Sequence, residues 1–286
     1  MKRYLIMLWY WLVNKNSMHR IVNPQGHVVV SLTSYDPRIT RVFATIESIA
    51  AGNLKPKRLI LWLDNSFKDK AIPSTLKRLE SRGLEILFCE DDGPHKKYRP
   101  YVLSEPGHDV PLVTADDDVL YPRQWLDSLF AAYGKNPERV YCHRARVVQF
   151  EPTQPSTQIW FESLPSTYRT WPPCNSTEAS TRHFSIGVSG VLYPPSFLNR
   201  LARVSTNELF KKVTPQADDI WLNFWGSYWG YEKQQLTPHA AEFTQIPLSG
   251  RSALHRRNVN QGGNDTQVQA MLRHLQSLST APKSLL

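Results

Sequence analysis

The stretch "HVVVSLTSYDPRITRVFATIESIAAGNLKPKRLILWL", residues 27–63, decides how the fold is read. Residues 27–32 form an apolar run of strand character. In the next segment Ile39, Val42, Phe43, Ile46, Ile49 and Ala50 recur at three- and four-residue spacing, which is one face of a helix. Gly52 and Asn53 are its stop signal. Residues 58–63 then return to a strand. A strand, a helix and a second strand in succession make a βαβ unit, whose strands run parallel. Working outward, residues 73–82 read as a short helix stopped by Gly83, and "LEILFC" from Leu84 reads as a third strand. The loop "EDDGPHKKYRP", a helix or turn at residues 101–105 and the strand "VPLVTA" follow. The expected fold class is therefore α/β, with a mainly parallel central sheet flanked by helices.

That last strand delivers Asp116, Asp117 and Asp118 at its carboxyl end, the edge where open α/β sheets usually bind ligands. Adjacent carboxylates repel one another and lose hydration when buried, so the cluster needs a compensating cation or donors. Alternation along an extended segment places Asp116 and Asp118 on one side and Asp117 on the other. Two such carboxylates suit a hard divalent ion, Mg or Mn rather than Zn. A solvated loop whose carboxylates cap the next helix is the plain alternative.

Beyond the aspartates, "YPRQWLDSLFAAYGKNP" reads as a helix opened by Pro122 and closed near Gly134, followed by the strand "RVYCHRARVV". Cys142 and His143 look like a metal pair, but neighbours on a strand point to opposite faces, so they read as packing. Residues 151–181 are rich in Pro, Ser and Thr with little periodicity, an irregular loop or insertion near the site. "FSIGVSGVLYPP" returns to strand character, with glycines that permit a tight bend or close approach to a ligand. In "TPQADDIWLNFW" Thr214 reads as N-cap and Pro215 as the first helical residue, and the macrodipole alone would account for Asp218 and Asp219. A carboxylate so rigidly presented also suits a general base toward a hydroxyl.

Composition limits the alternatives. A chain of 286 residues, 41% hydrophobic and 21% charged, is an ordinary globular protein. Its net charge of +9 comes from scattered Lys and Arg, with no long basic run, zinc-finger spacing or RNA-binding signature, so no nucleic-acid partner is expected. Cys89, Cys142 and Cys174 lie far apart and imply no disulfide framework, which points to a reducing compartment. At the start, "MKRYLIMLWYWLVNK" sets an apolar run at residues 4–13 between basic flanks, too short for a transmembrane helix. Trp9, Tyr10 and Trp11 suit a membrane interface better than a signal peptide. A helix packed on the protein's own core is the other reading.

The ordered set "VVVSLTSYDPRI", "KPKRLILWLDN", "GLEILFCEDDGPHKKY", "VTADDDVLYPRQWL", "VYCHRAR", "GVSGVLYPP" and "ADDIWL" resembles bacterial glycosyltransferases of the family 2 type, which have the GT-A fold. The resemblance runs over residues 28–265. It implies a nucleotide-sugar donor, a uridine diphosphate sugar favoured, and a glycan or lipid-linked acceptor in surface polysaccharide synthesis, such as lipopolysaccharide or capsule. By that resemblance Ser31, Thr33, Tyr35, Arg38 and Asp64 form the nucleotide pocket, and Asp116 and Asp118 are the Asp-x-Asp metal ligands for Mn or Mg. Asp117 would contact ribose or sugar, and His95, Lys96 and Lys97 would neutralise phosphate or orient the sugar; a solvated turn is their plain reading. Asp219, ahead of Asp218, takes the catalytic-base position of inverting members, and Gly187 and Gly190 line the acceptor side. His255 is a candidate third metal ligand and Arg256 and Arg257 a diphosphate clamp, with a basic surface turn as the alternative. Residues 160–178 would recognise the acceptor.

The expected organisation is an apolar and basic extension over residues 1–25 and a single GT-A domain over residues 26–286. The expected location is the cytoplasm, on the inner face of the membrane, with a peripheral contact through residues 4–13. A nucleotidyl- or phosphoryltransferase using the same aspartates, and a non-catalytic glycan- or nucleotide-binding relative, are the rival readings.

Overall fold

The computed structural model describes residues 2–149, 167–247 and 262–279. A helix, α1 (Lys2–Asn16), precedes the sheet-forming part of the chain. Then β1 (Val29–Thr33), α2 (Val42–Ala50), β2 (Arg58–Asp64), α3 (Ser74–Glu80), β3 (Leu84–Cys89), α4 (Arg99–Ser104) and β4 (Leu112–Ala115) follow the expected alternation. The four strands are parallel in the order β3-β2-β1-β4. Because successive side chains alternate across a strand, each strand feeds two cores. Val29, Ile60, Trp62 and Leu112 point into one. Val30, Leu32, Leu59, Leu61, Leu63 and Val113 point into the other.

After β5 (Val119–Leu120) and α5 (Trp125–Lys135), the expected strand over residues 139–148 splits in two. β6 (Val140–Cys142) stays in the main sheet, whereas β7 (Ala145–Val147) leaves it. At the break the Ala145 N–H donates to the Gln235 side chain at 2.8 Å and not to a backbone carbonyl. Next come β8 (Ala179–Ser180), β9 (His183–Ser185), which pairs with β7, and β10 (Val191–Tyr193), which runs antiparallel between β4 and β6. Helices α6 (Pro195–Ser205), α7 (Leu209–Val213) and α8 (Asp218–Tyr228) lead to β11 (Lys233–Gln235), β12 (Thr244–Gln245) and α9 (Gly263–Ser279). Among the described residues the sheet has eight strands, β3-β2-β1-β4-β10-β6-β11-β8, and β12 pairs with β5 beside it. The α/β class with a mainly parallel sheet flanked by helices is as expected. Within the irregular region only residues from 167 onward are described, and His255, Arg256 and Arg257 lie outside the described residues.

One helix start differs from expectation. α8 begins at Asp218 with Ala217 as its N-cap, so Thr214 does not cap it. The Thr214 carbonyl is instead tied to His95, and its buried hydroxyl has no partner among the described residues.

α1 rests on α2 and α3. Its Asn14 is buried, and the side-chain amide donates to Glu47 Oε1 at 2.9 Å and to the Thr75 carbonyl at 3.1 Å. Glu47, also buried, takes two bonds from the Arg82 guanidinium, which keeps its charge compensated. Removing one partner of a buried pair leaves the other charge unsolvated. Glu47→Ala is therefore expected to lower the unfolding free energy by about 3–5 kcal/mol, read from urea unfolding.

Candidate functional site

β1 and β4 are hydrogen-bonded neighbours, so the loops after them meet at one edge of the sheet. After Ala115 the chain turns sharply, and three bonds hold the turn. The Asp116 N–H donates to the Tyr121 hydroxyl at 2.9 Å, Thr45 Oγ1 donates to the Asp117 carbonyl at 3.0 Å, and the Ile246 N–H donates to the Asp118 carbonyl at 2.8 Å. The simple alternation expected of an extended segment does not apply here. Asp117 and Asp118 both face Arg38, at 2.7 and 3.0 Å, while Asp116 faces Lys97 at 2.7 Å.

The positive charge that three adjacent aspartates require comes from this chain itself. Asp117 is the most enclosed of them: Ser34 Oγ donates to Oδ2 at 2.6 Å and Arg38 to Oδ1, so each oxygen has a protein donor. Its pKa is raised, because burial outweighs the Arg38 and Ser34 contacts. Burial, and then the charge of Asp116, push Asp118 up to about 6.

Lys97 Nζ reaches Asp116 Oδ1 and also Asp218 Oδ2, the latter at 3.2 Å. Burial alone would lower its pKa, but Asp116, Asp218 and Asp219 together hold it well above the ordinary lysine value. The short 3-10 turn Gly93–Lys97 that carries it is locked to the start of α8 through His95. His95 Nε2 donates to the Thr214 carbonyl at 2.6 Å, so Nδ1 accepts from the Tyr98 hydroxyl at 2.8 Å. Burial lowers its pKa to about 4, and the ring is neutral. His95 thus braces the turn and does not line the cleft. Lys96 is likewise buried, bonded to Asp91 at 2.6 Å and close to Asp64 at 3.6 Å, so the basic loop is not a solvated turn. Burial alone would raise the Asp64 pKa; the Ser66 bonds and Lys96 outweigh it and lower the net value.

Next to Asp218, Asp219 stands in the first turn of α8 and keeps a partial opening to solvent. Gly187 N–H donates to its Oδ2 at 3.0 Å. Burial, and then Asp218, raise its pKa to about 7, against the opposing pull of Lys97. Gly187 is required by close approach, since a Cβ there would stand 2.6 Å from Asp219 Oδ1. Gly190 serves packing instead: its φ is +88°, and a Cβ would fall 2.5 Å from the Trp125 indole nitrogen. Asn223 ties β9 to the same helix, exchanging bonds with Ser185 N–H and carbonyl at 2.7 and 2.8 Å.

Of the residues expected to form the nucleotide pocket, Ser31 is fully buried and accepts from the Trp62 indole at 3.1 Å, which places it in the core. Thr33 donates to the Trp62 carbonyl. Tyr35 is exposed, with its ring 5.3 Å from the Arg38 guanidinium carbon. Thr33, Tyr35, Arg38 and Asp64 therefore keep some exposure to solvent, and Ser31 does not. His143 is packing, as expected, with Nε2 on the Trp125 carbonyl at 3.0 Å.

Asp116 and Asp118 keep 27% and 13% of their side chains exposed, and Asp116 Oδ2 and Asp118 Oδ1 have no protein partner among the described residues. No group of three or more His, Cys, Asp or Glu among the described residues converges on a metal position. Two carboxylates with open oxygens fit Mg or Mn only when donor phosphates supply further ligands, the usual habit of these ions.

Comparison with known protein families gives no match, and comparison with characterised proteins gives none either. Among solved structures, S. aureus TarS residues 1–349 aligns over 69% of this chain and 55% of that one, at 14% identity and a TM-score of 0.43. CMP:2-keto-3-deoxy-manno-octonic acid synthetase complexed with CTP aligns over 73% of this chain and 88% of that one, at 9% identity and a TM-score of 0.43.

Two outcomes test this geometry. Lys97→Met removes the charge that holds Asp219 down, so the Asp219 carboxylate is expected to titrate higher than in the wild type by carbon NMR. Gly187→Ala drives a methyl group into Asp219 and is expected to destabilise by about 1–3 kcal/mol, with that titration also displaced.

Proposed function

We propose that this protein is a metal-dependent, inverting glycosyltransferase that moves a sugar from a nucleoside diphosphate sugar, a uridine diphosphate sugar favoured, to a hydroxyl of a glycan or lipid-linked acceptor. The observation that carries the reading is the bridge by Lys97, which joins a donor-side carboxylate, Asp116, to the acid pair at the start of α8. One edge of the sheet thereby combines open carboxylates with a separate carboxylate whose pKa of about 7 suits a general base near neutral pH.

In this reading Thr33, Tyr35, Arg38 and Asp64 line the nucleoside site, and Asp116 and Asp118 would hold Mg or Mn. The ion, when bound, supplies Lewis-acid stabilisation of the leaving group. Asp219 accepts the acceptor hydroxyl's proton as that oxygen bonds to the anomeric carbon and the bond from that carbon to the diphosphate breaks. The nucleoside diphosphate departs, and the configuration at the anomeric carbon inverts. Lys97 places fixed positive charge beside the reacting groups, where a preorganised site gains most. Surface-polysaccharide synthesis on the cytoplasmic face of the membrane is the setting this chemistry fits.

Asp219→Asn is expected to retain donor binding while transfer falls by about 10²–10⁴-fold. In the wild type, kcat/KM is expected to rise as pH increases through about 7, because the base works only when ionised, and then to level off. Near-normal turnover by the Asn variant would remove Asp219 from this role. Release of pyrophosphate instead of nucleoside diphosphate would favour a nucleotidyltransferase.

A further inference from the structure

α1 is apolar on both sides, which one packed face does not explain. Its inner side is docked: Ile6, Met7 and Tyr10 pack against the core beneath α2, and Asn14 anchors to Glu47, Thr75 and Arg78. Its outer side carries Tyr4, Leu5, Leu8, Trp9, Trp11 and Leu12, all exposed, with Trp9 at 63% and Leu5 at 61%. At 3.6 residues per turn these six positions cover about 160° of the helix. A helix that is hydrophobic all round belongs in a core or in lipid. Here the core covers only one half.

The charge around this ridge selects the occupant. Lys2 and Arg3 begin the helix in sequence, Lys15 lies in its last turn and Arg20 follows it, while no Asp or Glu occurs before Asp36. Lys15 Nζ stands 5.2 Å from the Trp11 ring centre, so a cation and an indole share the same end of the ridge. A second copy of this chain would bring the same positive charge to the contact. An anionic lipid surface would bring the opposite charge to the flanks and an apolar boundary to the ridge, with Trp and Tyr at the headgroup level they favour. The 15 residues of α1 extend only about 22 Å, short of the roughly 30 Å hydrocarbon core. No helix among the described residues is long and apolar enough to cross a membrane.

We propose that the outer face of α1 seats the protein on an anionic lipid surface, with the helix lying in the plane of the interface. The contact is independent of the transfer reaction. Because Asn14 and the Glu47–Arg82 pair fix the helix to the domain, the ridge is presented rigidly and the domain is held at one orientation to the surface.

The test is flotation of the full chain with vesicles of phosphatidylethanolamine and phosphatidylglycerol, compared with phosphatidylcholine alone. Wild type is expected to float with the anionic vesicles, with a blue shift of tryptophan emission. Leu5→Glu with Trp9→Glu is expected to reduce that partition by more than about tenfold at an unchanged melting temperature. Lys15→Glu with Arg20→Glu leaves the ridge intact and carries the test if the first variant does not fold; it is expected to lose partition onto anionic vesicles. Wild type remaining in the soluble fraction with anionic vesicles, or a folded variant floating as well as wild type, would overturn the proposal. So would a wild-type dimer that ignores vesicles and becomes a monomer in the Leu5→Glu, Trp9→Glu variant.

Discussion

Lys97 places one buried positive charge between carboxylates from distant parts of the chain, and the cleft depends on that contact. Asp116 follows a central strand and Asp218 opens a helix about a hundred residues later, yet the same ammonium reaches both. Without it, burial and mutual repulsion would drive these groups toward protonation or apart. Arg38 does the same for Asp117 and Asp118 one step along the turn. The two cations therefore set both the shape of the edge and the ionisation of what lines it. Asp219, which sits beyond the direct reach of either, is the carboxylate whose pKa rises furthest toward neutrality.

Charge compensation also organises the far side of the sheet. Glu47 lies inside a helix that is otherwise almost wholly apolar, and the Arg82 guanidinium makes its burial tolerable. The same carboxylate accepts from Asn14, so α1 is fixed to the domain by polar bonds as well as apolar packing. Polar anchoring on the inner side leaves the outer apolar side chains uncovered, which ties the core arrangement to the character of the surface.

The parallel half of the fold was legible because each strand and helix there carries its own period and its own stop. Strands such as β1 and β2, buried on both faces, announce themselves as apolar runs. The split between β6 and β7 was not legible; there the Ala145 N–H donates to the side chain of Gln235, ninety residues away. The acidic residues were also conspicuous in sequence, but their partners were not. Ser34, Thr45 and Tyr121 are common residue types whose bonds to the aspartate turn exist only through tertiary contact. His95 illustrates the limit: beside two lysines it reads as a ligand residue, and only the position of Thr214, 119 residues on, makes it a brace. Thr214 reads as a cap from its residue type, yet the helix begins four residues later, with Ala217 in the N-cap position.

If the aspartate edge receives a nucleoside diphosphate together with a divalent ion, neither ligand should bind well alone. Isothermal titration calorimetry of nucleoside diphosphates and nucleotide-sugars, with and without Mn, on wild type and Asp118→Asn measures this directly. The expected result is metal-dependent binding of one nucleotide class, weakened by about tenfold or more in the variant, whose amide can still accept from Arg38 but carries no charge for the ion. Absence of nucleotide binding under every metal condition, or equal binding by the variant, would contradict it.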